Sequence, residues 1–465
     1  VVRDNPKQLV VNGELVQHKA GVLHLTQFTQ VAMAVLASAQ VAQMRAAGAF
    51  VDGAVTCGHS VGEYNALSAI AEVLPLTAVI EIVWLRGLTM HRCVPRDEHG
   101  ASGYAMGVIR PHHAGMDEQQ ALELVANVAA RTDGFAEVVN FNVRDRQYSV
   151  VGDDATLAAI EAEITARPSP TGKPAWVTVA GIDVPFHSSR LRDGVDAFRK
   201  TLQERLPHDD NYLSLVGRYI PNLVAIPFEL TTAFVDAMVL ATSSPEIVAI
   251  RAHFDEQIAD PAAFARTLVI ELLAFQFASP VRWIETQEVL LGKAALASNA
   301  LEFGSLRAGV DEIVEIGVGY QPTVANMARQ SAASLGITHV SIRNLEANLD
   351  EVLETDATAS LTAESTSADA GSHSPLSADA DPEPVAVTAR ALPRQTAVQP
   401  QQLPADLVDK TFGHFDALTA ILGLQARVRP GQIQPTETID ELFGGVSSRR
   451  NQVLVDIGAE FGHIF

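Results

Sequence analysis

The sequence predicts an α/β protein with a small subdomain inserted into it, then an acidic disordered tether and a short all-α piece. Three observations carry this. A bend, Gly58-His59-Ser60-Val61-Gly62, separates a strand pattern from a helix pattern. From Gly103 to Gly181 the hydrophobic periodicity runs strand, helix, strand, strand, helix, strand. Near residue 350 the composition breaks, with nine Asp or Glu and no Lys or Arg from Asp350 to Ala389.

The elements follow in order. A helix is expected over Leu25–Ala39. Ala54–Cys57 reads as a short buried strand feeding the turn at Gly58, and Val61 to Glu72 as a helix packing through Ala66, Leu67, Ala69 and Ile70. Thr77–Met90 is an almost wholly apolar helix with one cation, Arg86, apart from Glu81. The insert takes strands at 104–110, 136–142, 147–151 and 175–180, and helices at 117–130 and 154–166. Its βαββαβ order is that of a ferredoxin-like subdomain. A strand over 312–316 precedes the loop Gly317-Val318-Gly319. The expected domains are 1–349, a flexible linker over 350–404, and a helical piece over 405–465. The linker has too little apolar surface to offset its ordering entropy.

Composition excludes several classes. Lys plus Arg is 33 and Asp plus Glu is 55 in 465 residues, a net charge of −22. That argues against a duplex nucleic-acid binder, whose affinity comes from cations on phosphates. Two cysteines, Cys57 and Cys93, exclude a disulfide scaffold and a Cys-rich metal site, and fit a reducing cytoplasm. The most apolar stretch, Leu67 to Trp84, is broken by Glu72, Pro75 and Glu81, so no membrane span is expected. The chain opens on Val1 without a basic-then-apolar leader and ends abruptly at Phe465, which reads as a piece of a longer polypeptide.

Three features bear chemistry. Gly58–Gly62 matches G-x-S-x-G, the pattern that presents a serine hydroxyl on a strand-to-helix bend. The amide of Val61, at the positive end of the following helix, is a ready oxyanion donor. Ser60 needs a base, and His187, just after the insert's last strand, is the candidate. The alternative for His187 is a surface-loop histidine. Arg86 has Ile82 and Met90 as its i−4 and i+4 neighbours, so no intrahelical carboxylate pairs with it. It either snorkels to solvent or forms a bidentate clamp for a substrate carboxylate.

These stretches together resemble the acyltransferases of fatty-acid and polyketide synthases. The resemblance rests on Gly58–Leu67, Trp84–Met90, Val139–Gly152, Val184–Ser188 and Gln276–Trp283, in that order, and covers about 20–345. The wording of the motifs looks most like the malonyl/palmitoyl transferases of the fungal and mycobacterial type I synthases. That likeness implies an α/β-hydrolase-like large subdomain around the insert. It implies an acyl-ester on Ser60, His187 as general base, and the backbone carbonyl of Gln276 orienting the imidazole. Arg86 would bind the free malonyl carboxylate, Asn142 would support the pocket, and Phe186 would disfavour branched extender units. The family's N-terminal Gly-Gln-Gly-x-Gln loop is missing before Ser60, because Gln27 and Gln30 lie in the helix pattern. An oxyanion donor is worth about 3–4 kcal/mol, so this chain alone is expected to be nearly inactive in acylating Ser60.

The C-terminal piece resembles the acyl carrier domain of the same synthases, truncated. Ser447 in Gly444-Gly445-Val446-Ser447-Ser448 would carry 4′-phosphopantetheine, with Ser448 the nearby alternative and a plain helix cap the bland one. The likeness implies malonyl-CoA and long-chain acyl-CoA as substrates, no metal, and other catalytic domains of the synthase as partners. NADPH and FMN would serve only those other domains, and the whole would be a homo-oligomer, a hexameric barrel. The competing readings are an α/β-hydrolase-type esterase or thioesterase and a catalytically silent scaffold segment.

Overall fold

The computed structural model describes residues 5–11, 14–18, 21–98, 100–179, 181–208, 211–292, 309–319, 322–354 and 422. The chain divides into two units, Val1–Ser372 and His373–Phe465. Apart from residue 422 the carrier piece, with Ser447 and Ser448, lies outside the described residues, as does the expected linker from residue 355 onward.

A hairpin, β1 (Gln8–Val11) and β2 (Glu14–Gln17), leads to the long helix α1 (Thr26–Ala46). The bend at Ser60 opens α2 (Gly62–Asn65), which runs into a π-helical turn at Ala66–Ile70; α3 follows over Leu76–Arg92. The chain packs outward from this layer. α3 lies against α1 so closely that a Cβ on Gly87 would stand 2.5 Å from the Gln27 Cα. The large core collects Tyr64, Leu67, Ile82 and Val83 with aromatic side chains contributed from later elements, among them Phe198, Phe228, Phe264 and Phe277. Burying such rings supplies the main stabilising term.

The insert comprises β3 (Tyr104–Ile109), α4 (Glu118–Thr132), β4 (Ala136–Val143), β5 (Gln147–Asp153), α5 (Asp154–Thr165) and β6 (Trp176–Val179). Its sheet runs β4-β5-β3-β6, antiparallel throughout, which is the ferredoxin-like order. Sequence chemistry sets its helix starts. Asp117 closes a capping box with Gln120, and the Asp153 side chain accepts from the Thr156 amide. The insert has its own core, centred on Ile109, Val125, Val128, Val150 and Ile160.

Helices then dominate: α6 (Val195–Arg205), α7 (Thr232–Thr242), α8 (Pro245–Ala252), α9 (Phe254–Gln257), α10 (Pro261–Gln276) and α11 (Trp283–Leu290). A parallel pair, β7 (Glu312–Glu315) and β8 (Ser341–Asn344), is joined through α12 (Val324–Leu335), and α13 (Leu349–Leu353) follows.

Three expectations need correction. The strand at Ala54–Cys57 reduces to a single parallel bridge, Thr56 to Tyr219. The helix from Val61 to Glu72 is α2 plus the π-turn, which swings Ser68 inward (7% exposed) and leaves Ala69 and Ile70 half-buried. The expected linker start at residue 350 falls inside α13, whose Val352 packs on Met44 and Leu345. Acidic composition beyond it masks this short apolar repeat in the sequence.

Candidate active site

Ser60 sits at φ +56°, the left-handed conformation, at the tip of the bend. This costs energy for a residue with a Cβ, and neighbours hold it there. The Ser60 amide donates to Asn222 Oδ1 (2.8 Å), and Asn222 Nδ2 donates to the Gly58 carbonyl (2.6 Å). Of the two motif glycines only Gly58 is sterically required. A Cβ there would lie 2.1 Å from the Gly62 backbone, whereas one on Gly62 meets nothing within 4 Å.

His187 comes from the segment after β6, also in the left-handed region (φ +62°). Its amide donates to the Phe277 carbonyl (2.9 Å). Its Nδ1 lies 2.9 Å from the Gln276 carbonyl oxygen and 3.2 Å from that of Ser279. Carbonyl oxygens only accept, so the ring proton resides on Nδ1. The lone pair on Nε2 then faces Ser60 Oγ at 2.7 Å. Burial pushes the imidazole down to about 3, helped by the nearby Arg86 cation and opposed by the carbonyls. The ring is therefore neutral, the form a base requires.

Arg86 is 2% exposed, so it does not snorkel. Nη1 donates to Gln30 Oε1 (2.8 Å) and Nη2 to Gln276 Oε1 (2.7 Å), while Nε is buried with no protein partner. Its guanidinium carbon stands 5.2 Å from the Tyr64 ring centroid. Two neutral amides thus hold the cation without neutralising it. Ser60, Val61, Arg86, Phe186 and His187 line one cavity of about 200 Å³.

Not every residue named from sequence reaches that cavity. Asn142 lies one layer out: its Oδ1 meets His59 Nε2 at 2.9 Å and its Nδ2 donates to Ser149 Oγ. Asn140, two residues earlier on β4, lines the cavity instead. The main-chain role of Gln276 has a side-chain companion: Nε2 donates to the Ser60 carbonyl (2.6 Å) and to Glu63 Oε2 (2.7 Å).

Sequence reasoning missed Gln30, Glu63, Asn140 and Asn222. Glu63 is 1% exposed and accepts from the Tyr219 hydroxyl and the Asn222 amide. Burial raises its carboxyl to about 7, against the pull of Tyr219, Gln276, Asn222 and Arg86. A carboxyl three residues after the motif serine was the available signal. Gln30 had one too, as one of three glutamines, with Gln27 and Gln40, on the buried face of α1. Among the described residues no cluster of three or more His, Cys, Asp or Glu is placed to hold a metal, and no helix is long and apolar enough to cross a membrane.

Comparison with known proteins adds to this geometry. Residues 1–173 match the acyl transferase domain family. The chain is 34% identical over 485 aligned positions to fatty acid synthase 2 of Mycosarcoma maydis, covering 95% of this chain and 13% of that protein. It is 33% identical to the fatty acid synthase subunit beta of Schizosaccharomyces pombe, over 51% of this chain and 14% of that one. The chain therefore spans only a small part of these relatives' length. Among solved structures, it is similar to an acyl-carrier-protein S-malonyltransferase from Burkholderia pseudomallei (24% identity, TM-score 0.48, 72% of this chain and 83% of that one).

Proposed function

We propose that this chain carries an acyl transferase domain of the kind found in fatty acid synthases, and that Ser60, His187 and Arg86 are the working parts of a malonyl transferase. The observation that carries the reading is the 2.7 Å contact between Ser60 Oγ and a neutral His187 Nε2, in a cavity shared with Arg86.

Ser60 Oγ attacks the thioester carbonyl of malonyl-CoA while His187 Nε2 takes its proton. The Val61 amide steadies the developing oxyanion. The proton on Nε2 passes to the departing CoA sulfur, leaving a malonyl ester on Ser60. In the second half, Nε2 takes the proton of the acceptor thiol and returns it to Ser60 Oγ as the ester is cleaved. Arg86 holds the malonyl carboxylate, away from the reacting carbonyl. Ser447 is the proposed attachment point for 4′-phosphopantetheine, which supplies a thiol on a long arm. The main-chain acceptors at His187 Nδ1 favour this reading over an esterase built on a carboxylate-backed histidine.

Long acyl chains passing from the carrier to CoA form a second reading, favoured by Met33, Met106, Ile182 and Phe186 on the cavity wall. Partnership with the other domains of a synthase, in an oligomer and in the cytoplasm, belongs to the same proposal.

The test is intact-mass analysis after prolonged incubation with malonyl-CoA. One malonyl adduct is expected, absent in Ser60→Ala, and lowered roughly tenfold or more in Arg86→Ala through loss of a charge-assisted contact. Malonyl loading that is indifferent to Arg86→Ala sinks the clamp.

A further inference from the structure

Glu63 lies behind the cavity, and no transfer step above uses it. Its position is nonetheless specific. Once ionised, above about pH 7, the Glu63 carboxylate only accepts hydrogen bonds, and a guanidinium only donates them. The Gln276 side chain lies between the two, with Nε2 2.7 Å from Glu63 Oε2 and Oε1 2.7 Å from Arg86 Nη2. The amide can therefore take only one orientation. The Ser60 carbonyl, 2.6 Å from the same Nε2, reinforces it. The other anchor of Arg86 is built differently: Gln30, which accepts from Nη1, is itself tied by Nε2 to the Thr26 hydroxyl (2.7 Å). A hydroxyl can donate or accept, so it does not impose an orientation on Gln30.

We propose that Glu63 is a positioning residue for substrate selection: by fixing which end of the Gln276 amide faces Arg86, it holds the guanidinium in register with Ser60. This rests on the reading that Arg86 binds the malonyl carboxylate. Replacing Glu63 with glutamine keeps an oxygen for Tyr219 and Asn222 but sets an NH2 group against Gln276 Nε2. That donor–donor clash pushes the Gln276 side chain off its place on Arg86, because turning the amide over would set Oε1 against the Ser60 carbonyl and NH2 against the donor-only guanidinium.

The experiment measures equilibrium binding of malonyl-CoA and acetyl-CoA to the full chain by calorimetry, in a Ser60→Ala background so that no turnover intervenes. Glu63→Gln is expected to weaken malonyl-CoA about tenfold more than acetyl-CoA, the size of a lost hydrogen bond to a charged group. A residue that merely supports the fold weakens both alike, and that result overturns the proposal. The sharper readout is a double-mutant cycle. In a Gln276→Leu background, Glu63→Gln should cost no further malonyl preference; additive losses overturn the relay. Should Glu63→Gln not fold, Gln276→Leu alone must lose the preference, since it leaves Tyr219 and Asn222 on Glu63; retained preference counts against the relay. Arg86→Ala separates the two levels. If it keeps the malonyl preference, the clamp reading falls and takes this one with it. If it loses the preference while Glu63→Gln keeps it, only the Glu63 assignment fails.

Discussion

At the scale of single residues, the site depends on which atoms can only donate and which can only accept. His187 faces two carbonyls through Nδ1, so its tautomer follows from geometry. With its imidazole held down to about 3, it stays an unprotonated base across the neutral and mildly acidic range. The kcat/KM for Ser60 acylation by acetyl-CoA, a donor without a titrating carboxylate, should therefore show no inflection near the ordinary histidine value of about 6.5. A pH-rate profile checks this, and an acid limb centred there that persists in Glu63→Gln, where the carboxyl held at about 7 is gone, contradicts it. The sign carries over to stability. A histidine lowered by folding stabilises the fold fully above its unfolded value, and that contribution fades as pH falls from there toward about 3. Ser60 and Arg86 stand in local patterns that single them out in the sequence, whereas His187 is singled out mainly by the family resemblance of Val184–Ser188. Glu63, Gln30 and Asn222 were not legible there, since their roles arise from partners 56 to 213 positions away.

At the scale of elements, the bend depends on one glycine more than the other. Gly58→Ala should abolish folding or Ser60 labelling by a serine-directed reagent, because its Cβ would overlap the backbone of α2. Gly62→Ala should fold and gain up to about 1 kcal/mol, having open space in a helix where glycine is entropically costly. Urea unfolding of the two variants separates these outcomes, and equal damage from both refutes the distinction. The capping box of α4 offers a milder test: Asp117→Ala should lower stability by about 1 kcal/mol in the same measurement. The insert's strands and helices were readable to within a few residues because alternation and capping are local signals. The strand at Ala54–Cys57 and the helix after Ser60 were misread because tertiary pairing with Tyr219 and the π-turn at Ala66–Ile70 leave little trace in periodicity.

At the scale of the whole molecule, the cavity is assembled where the large layer meets the insert. Asn142 fastens that junction. Its side chain meets His59 beside the motif serine, and its carbonyl accepts from Gln287 Nε2 on α11 (2.7 Å). Asn142→Ala leaves the half-buried His59 ring without this partner, and should cost about 1 kcal/mol of stability in urea titration; a loss below experimental error removes the fastening role. The family's wording drew attention to Asn142, yet Asn140 is the residue facing the cavity, a difference set by the irregular register of β4 against β5 on either side of Phe141. One feature of this assembly bears on how the protein tolerates change. The atoms that orient the base belong to the main chain of the turn closing α10, so every residue type at 276 or 279 supplies them. Alanine scanning would leave that half of the machinery untouched, and drift in those side chains could proceed without disarming the histidine so long as the turn keeps its course.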